Sequence, residues 1–327
     1  MTAELTYREA LIAAKREAMR ADPAVTILGE DVGVYGGTFG LTQGLFEEFG
    51  PGRVIDTPIS EAGFSGAAVG AALTGLRPIV ELKFIDFTLV AMDQIVNQAA
   101  KVHFMMGGRC KVPVVFIVAI GVTRGAAAQH SQSLHAWFVH APGLKVAMPS
   151  TPCDAKGLLA SAIEDDGPVM FVAHKMLFGR RGPVPEEPFA IPFGQAAVRR
   201  KGGDVTVVAT SFMVERALEA ADALAAEGVE AEVIDPRTIV PLDADSILES
   251  VRKTGRLVVA DEGHLPCGVG AEVAALVQNE AFDYLDAPIE RVGAPASPVP
   301  FSEPLEAAYT PGVEEILVAA RRTLGVP

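Results

Sequence analysis

Short unbroken apolar runs alternate along this chain with longer segments whose apolar residues recur every three or four positions. Val25–Gly37 reads as a short apolar strand running into an acidic, glycine-rich loop, and the runs Arg53–Asp56, Pro78–Phe84, Val112–Ile120, Leu144–Pro149 and Pro168–Ala173 read as strands. The apolar block VPVVFIVAI is the pattern of a strand covered on both faces. Between the runs, residues 1–23 read as a capped amphipathic helix, Thr88–Met106 as one long helix stopped by Gly107 and Gly108, and the stretch after Pro152 as another helix. Strands alternating with helices predict a doubly wound, mostly parallel α/β sheet.

From Gly179 to Gly194 the sequence GRRGPVPEEPFAIPFG breaks this rhythm with four prolines. The alternation then restarts with Val205–Thr210, Val229–Asp235, Arg256–Asp261 and Pro288–Gly293 as strands, and helices over Val214–Glu227, near Asp245–Lys253 and from Gly270. The expected organisation is therefore two doubly wound α/β domains, over 1–180 and 201–327, with a Pro-rich linker at 181–200. A length of 327 residues agrees, because it exceeds what one hydrophobic core usually serves.

The first half is organised around DTPISEAGFSGAAVGAALTG, Asp56–Gly75. Pro58 stops a strand, Ser60 is placed to cap a helix, and Glu61 falls in the first turn, where the helix dipole favours negative charge. By itself that position fits an ordinary capping carboxylate. Gly63, Gly66 and Gly70, flanked by Ala67 and Ala71, add a nearly side-chain-free face to the same helix. Each helical glycine costs about 1 kcal/mol relative to alanine, so the stripe points to a close neighbour, a packed helix first and a flat cofactor second. Upstream, Glu30 and Asp31 sit in a glycine-rich loop as candidate cation ligands or as turn and capping groups.

Composition narrows the classes. A net charge of −14 argues against nucleic acid, which calls for clustered Lys and Arg. No run approaches 18 apolar residues and the first segment carries acids, so a soluble, cytoplasmic, non-membrane protein is expected. Three widely spaced cysteines fit a reducing compartment and show no metal-ligand spacing.

Two chemistries can be weighed and set aside. A dinucleotide site would use Glu81, 18 positions after Gly63, but the glycines run G-x-x-G-x-x-x-G, and Glu61 would put negative charge where pyrophosphate belongs. A metal site from His130, His135 and His140 fails because five-residue steps on a helix turn each ligand by about 140°. His130 lies in the small-residue loop GVTRGAAAQHSQ after a buried strand, where open α/β sheets place ligands, while His135 and His140 read as surface or packing residues.

Together DTPISEAGFSGAAVGAALTGLRPIVEL, the FxDF at Phe84–Phe87, DQIVNQAAK, AAQHSQS, PGLKVAMPSTPCDAKGLL, IDPRTIVPLD and DEGHLPCGVGAEVAAL resemble the β subunit of thiamine-diphosphate-dependent 2-oxo acid dehydrogenases, the E1 component, over essentially the whole chain. The resemblance implies a transketolase-like pyrimidine-binding domain followed by a transketolase C-terminal domain, an E1 α subunit in an α2β2 heterotetramer, and a lipoylated E2 acyltransferase that receives the acyl group. It also implies that the α subunit holds Mg²⁺ and the cofactor diphosphate through a GDG motif, which this chain lacks. Glu61 would then bond N1′ of the aminopyrimidine so that the thiazolium C2 proton can leave, a task suited to a carboxyl in alanine–glycine surroundings. Phe87 would stack on the pyrimidine, Glu30 would line the cofactor site, and His130 would assist proton transfer or arrival of the lipoyl group. Carbonyls at Val114, Ala162, Ile163, Asp165 and Gly167 match a family potassium site. Ile117 stands where many relatives carry Arg, and AHKMLFG with FMMGG leans toward acetoin-type and branched-chain-type relatives. The alternatives to 2-oxo acid decarboxylation are cleavage of acetoin and a non-catalytic scaffold of the same fold.

Overall fold

The computed structural model describes residues 1–123 and 125–325. Arg124, within the loop after the buried Val112–Ile120 run, lies outside them. The chain forms two compact units, one of Met1–Ile120 with Trp137–Phe193, the other of Gly121–Ala136 with Gly194–Pro327.

The first unit runs β1 (Thr2–Thr6), α1 (Tyr7–Ala21), β2 (Val25–Gly29), α2 (Leu45–Phe49), β3 (Val54–Asp56), α3 (Glu61–Leu73), β4 (Arg77–Phe84), α4 (Ala100–Met105), β5 (Val115–Ile120), α5 (His135–Val139, of which Trp137 onward belongs here), β6 (Lys145–Ala147), α6 (Pro152–Glu164), β7 (Val169–His174) and β8 (Arg181–Pro185). Its main sheet has the order β6-β7-β5-β4-β2-β3, parallel at every pairing. The apolar runs sit where full burial requires them: every residue of β5 and β7 is buried.

Three local outcomes differ from the pattern in the sequence. Residues 1–23 do not form one helix, because Thr6 closes a capping box with Glu9 and starts α1 there, leaving Thr2–Thr6 to pair as a strand with β8. The Pro-rich stretch thus contributes β8, whose Pro183 and Pro185 are tolerated in a two-stranded edge ribbon where few amide donors are needed. The expected helix over Thr88–Met106 is broken into a 3₁₀ turn at Ile85–Leu89, a π-helical stretch at Asp93–Ala99 and then α4. Gly107 and Gly108, both at positive φ, end it as expected.

The second unit runs β9 (Ala197–Arg200), β10 (Val205–Ala209), α7 (Met213–Ala226), β11 (Ala231–Asp235), β12 (Thr238–Val240), α8 (Ala244–Thr254), β13 (Leu257–His264), α9 (Val269–Glu280), β14 (Glu290–Ala294), α10 (Glu303–Tyr309) and α11 (Val313–Leu324). Its sheet, ordered β14-β13-β10-β11-β9, is parallel except for the antiparallel edge β9. A core of Val205, Val207, Met213, Leu224, Val233, Val258 and Ile316 fastens α7 and α11 to it. Among the described residues no helix is long and apolar enough to cross a membrane.

One ion pair ties the first unit together at its centre. Lys15 of α1, fully buried, pairs with Glu81 of β4 and donates to the Leu41 carbonyl at 3.1 Å. Glu81 is therefore engaged inside the protein, and the dinucleotide role weighed for it has no free carboxylate to use. Lys15→Met should leave Glu81 uncompensated and destabilise the protein by about 3–5 kcal/mol, whereas adding Glu81→Leu should restore most of the loss. Urea unfolding of the two variants checks this.

Candidate active site

In the first unit the chain passes from β2 to β3 on one side and returns to β4 on the other side of β2, so the strand order reverses next to β2. Open α/β sheets bind ligands at the carboxyl ends of strands at such a reversal. Three sequence-predicted residues fall there: Glu30 directly after β2, Glu61 at the start of α3 after β3, and Phe87 in the turn after β4.

The loops are held to one another. Asp56, the last residue of β3, accepts a hydrogen bond from the Gly33 amide at 2.7 Å. A Cβ at Gly33 would lie 2.4 Å from that carboxylate, so the closeness requires glycine. The β4–β5 register shifts between Glu81 and Phe84, and Lys83 takes φ 55. A bulge of this kind re-aims a side chain. Lys83 Nζ reaches Glu30 at 2.8 Å and Asp31 at 2.9 Å. Burial opposes the Lys83 charge, but hydrogen bonds to Glu30 and Asp31 outweigh it and raise its pKa above the ordinary value. The cation for these two loop acids is thus the protein's own lysine. Phe87 stands edge-on to Phe84 at 5.9 Å, and Phe84 in turn to Phe39 at 5.2 Å, giving an aromatic row beside the turn.

Glu61 differs from every one of these groups. It is 9% exposed, and among the described residues no hydrogen bond or ion pair engages its side chain. Ser60 occupies the N-cap position, but its hydroxyl makes no capping bond. The glycine face of α3 is only partly covered within the chain: Gln94 closes on Gly66, where a Cβ would meet its Oε1 at 3.0 Å, whereas Gly70 has nothing within 4 Å and Ala62, Gly63 and Ala67 are exposed.

Of the five carbonyls expected to bind potassium, three accept hydrogen bonds within the protein. Arg77 Nη1 donates to the carbonyls of Ile163 at 3.1 Å and Asp165 at 3.0 Å, and the Val114 carbonyl accepts from the Val169 amide at 2.9 Å. The Asp165 carboxylate holds Lys145 and the Gly167 amide, while Ala162 is buried in the helix. A guanidinium thus lies against two of these carbonyls.

His130 falls in the other unit, in a half-buried turn where its amide donates to the Ala127 carbonyl at 3.3 Å. Its neighbour His135 has a partner that the sequence reading did not supply. Of the two readings, surface or packing, burial excludes the first, and His135 also bonds Asp261 through Nε2 at 3.0 and 3.1 Å. The available signal was the acidic pair Asp261–Glu262 ending an apolar strand, since such acids need partners once buried.

Comparison with known proteins agrees with this architecture. Residues 3–180 match the transketolase pyrimidine-binding domain and residues 194–316 the transketolase C-terminal domain. The chain is 50% identical over 319 residues to a pyruvate dehydrogenase E1 component subunit beta of Rickettsia felis, covering 98% of each. It is 49% identical over 334 residues to the beta subunit of an acetoin:2,6-dichlorophenolindophenol oxidoreductase of Cupriavidus necator, covering 99% of this chain and 98% of the relative. Among solved structures it resembles a split-gene transketolase described as an inactive beta4 tetramer, with TM-score 0.80, 27% identity, and 98% of this chain and 99% of that one covered. Sheet order, paired domains and full-length identity converge: the chain belongs to the transketolase-like family of E1 β subunits that includes those of pyruvate and acetoin dehydrogenases.

Proposed function

We propose that the chain is the β subunit of a thiamine-diphosphate-dependent 2-oxo acid dehydrogenase, decarboxylating its substrate and passing the acyl group to a lipoylated E2. The observation that carries this is Glu61. It is only 9% exposed and no donor among the described residues meets its side chain, whereas Glu30 and Glu81 are each paired with a lysine, so Glu61 is left ready to accept from a ligand. The protonated N1′ edge of an aminopyrimidine is such a donor, and Glu61 stands at the carboxyl end of the sheet where a ligand belongs. When bound, thiamine diphosphate supplies the carbon nucleophile that cleaves the bond beside the substrate carbonyl. The residues of this chain do the rest. Glu61 accepts and returns the N1′ proton, Phe87 offers an aromatic face, and Glu30, fixed by Lys83, forms the wall of the same loop cluster. His130 handles a proton at the substrate or lipoyl side.

No GDG motif occurs in the chain, so an E1 α subunit is assigned the diphosphate and Mg²⁺ in an α2β2 assembly. The uncovered small-residue face of α3 supports close approach by a further chain. Acetoin cleavage is the second reading, favoured by the Cupriavidus relative and by the segments AHKMLFG and FMMGG.

In the α–β assembly, Glu61→Gln should slow exchange of the cofactor C2 hydrogen for deuterium by roughly 10²–10⁴-fold, the range of a lost general acid–base group. Exchange at the wild-type rate would remove Glu61 from the mechanism. The β chain alone should bind thiamine diphosphate at least roughly a hundredfold more weakly than the assembly, because its anchoring charges reside elsewhere. Titration calorimetry with each form decides, and tight binding by the single chain would contradict the divided site.

A further inference from the structure

The segment 121–136 clusters with the second unit, and acids of that unit hold it at several points. Glu262 of β13 accepts from the Val122 amide at 2.9 Å and lies 3.4 Å from the Ser133 hydroxyl. Glu306 of α10 accepts from the Gly125 amide at 2.8 Å. Asp261 of β13 takes both contacts from His135 Nε2 and a 2.5 Å bond from the Thr210 hydroxyl. Asp261, Glu262 and Glu306 are only 4–5% exposed. Three acids buried along one short segment demand compensation: backbone amides meet Glu262 and Glu306, and among the described residues His135 meets Asp261.

We propose that His135 is a positioning residue: seated on Asp261, and seconded by Glu262 and Glu306, it fixes the 121–136 segment and therefore the place of His130 on the second unit. The consequence for catalysis rests on the proton-transfer reading of His130. The structural claim does not.

The titratable groups facing His135 are Asp261 and Glu262, and Tyr309 of α10 faces Glu262 in turn. Burial alone would push the His135 pKa down, but the Asp261 charge and hydrogen bond, with Glu262 added, raise it above the ordinary 6.5. Burial likewise opposes the Asp261 charge, and His135, Thr210 and the Gly263 amide overcome it and lower its pKa below the ordinary 3.8. A raised histidine holds its contribution in full below 6.5 and loses it as pH rises through the folded value; a lowered aspartate loses its contribution as pH falls through its own. The clamp is thus complete between the ordinary aspartate and histidine values and loosens as pH rises through the raised His135 value.

The test compares the α–β assembly in wild-type, His135→Gln and Asp261→Asn forms by hydrogen–deuterium exchange at matched pH, alongside transfer to a free lipoyl domain and decarboxylation with an artificial electron acceptor. Either substitution should speed amide exchange in 121–136 by roughly tenfold or more while leaving β10 protected. The wild type should show an alkaline step in that exchange and in lipoyl acylation, and His135→Gln should lack it. Unchanged exchange in both variants overturns the proposal, as does acceleration shared equally by β10, which would mark a general loss of stability. Localised acceleration in an assembly that shows no thiamine-dependent turnover would uphold the positioning role and overturn the function proposed above.

Discussion

A carboxylate taken out of water must be met by a donor, and the way this chain distributes its donors explains most of its design. Glu81 is met by Lys15, Glu30 by Lys83, Asp235 by Arg199, Asp261 by His135, and Glu262 and Glu306 by backbone amides. Glu61 is met by none of the described residues. These acids are thus engaged inside the fold, and Glu61, at the mouth of the parallel sheet, is the one that the proposed function assigns to a ligand.

The paired acids prepare the surroundings of the solitary one. Lys83 can reach Glu30 and Asp31 because a bulge in β4 turns it toward the loop after β2, and Asp56 pulls the same loop against the end of β3 through the Gly33 amide. Strand ends that carry Glu30, Glu61 and Phe87 are thereby held by bonds that involve no ligand. Preorganisation of this kind lets binding energy go toward orienting the reacting groups instead of ordering loops. Arg77 does similar work at the other end of the sheet, bonding two carbonyls at the end of α6 with its guanidinium.

Much of this was legible in the sequence, for physical reasons. Strands such as Val115–Ile120 and Val169–His174 are buried on both faces, and an unbroken apolar run announces that condition directly. Glu61 was legible because a charge beside a glycine–alanine helix is a local conflict, and such conflicts concentrate at functional sites. Pairings between distant segments were not. The Thr2–Thr6 strand and its partner Arg181–Pro185 are specified by each other, one hidden in an apparent helix and the other among prolines. The π-helical stretch at Asp93–Ala99 leaves the apolar spacing close to helical, so periodicity alone joins it to its neighbours. His135 looked like a surface or packing residue because its meaning depends on Asp261, 126 positions away. The potassium cluster transferred from relatives as a list of carbonyls, with no hint that Arg77 would occupy two of them.

The central claim is that Glu61 is completed by a pyrimidine ring whose diphosphate another chain holds. An experimental structure of the assembled α and β subunits with thiamine diphosphate tests it most directly. The account predicts a Glu61 carboxylate oxygen within about 2.6–3.0 Å of the pyrimidine N1′, the distance of a charge-assisted hydrogen bond, with the diphosphate on residues of the partner. A Glu61 bonded to a protein group, or a pyrimidine seated away from it, would contradict the account.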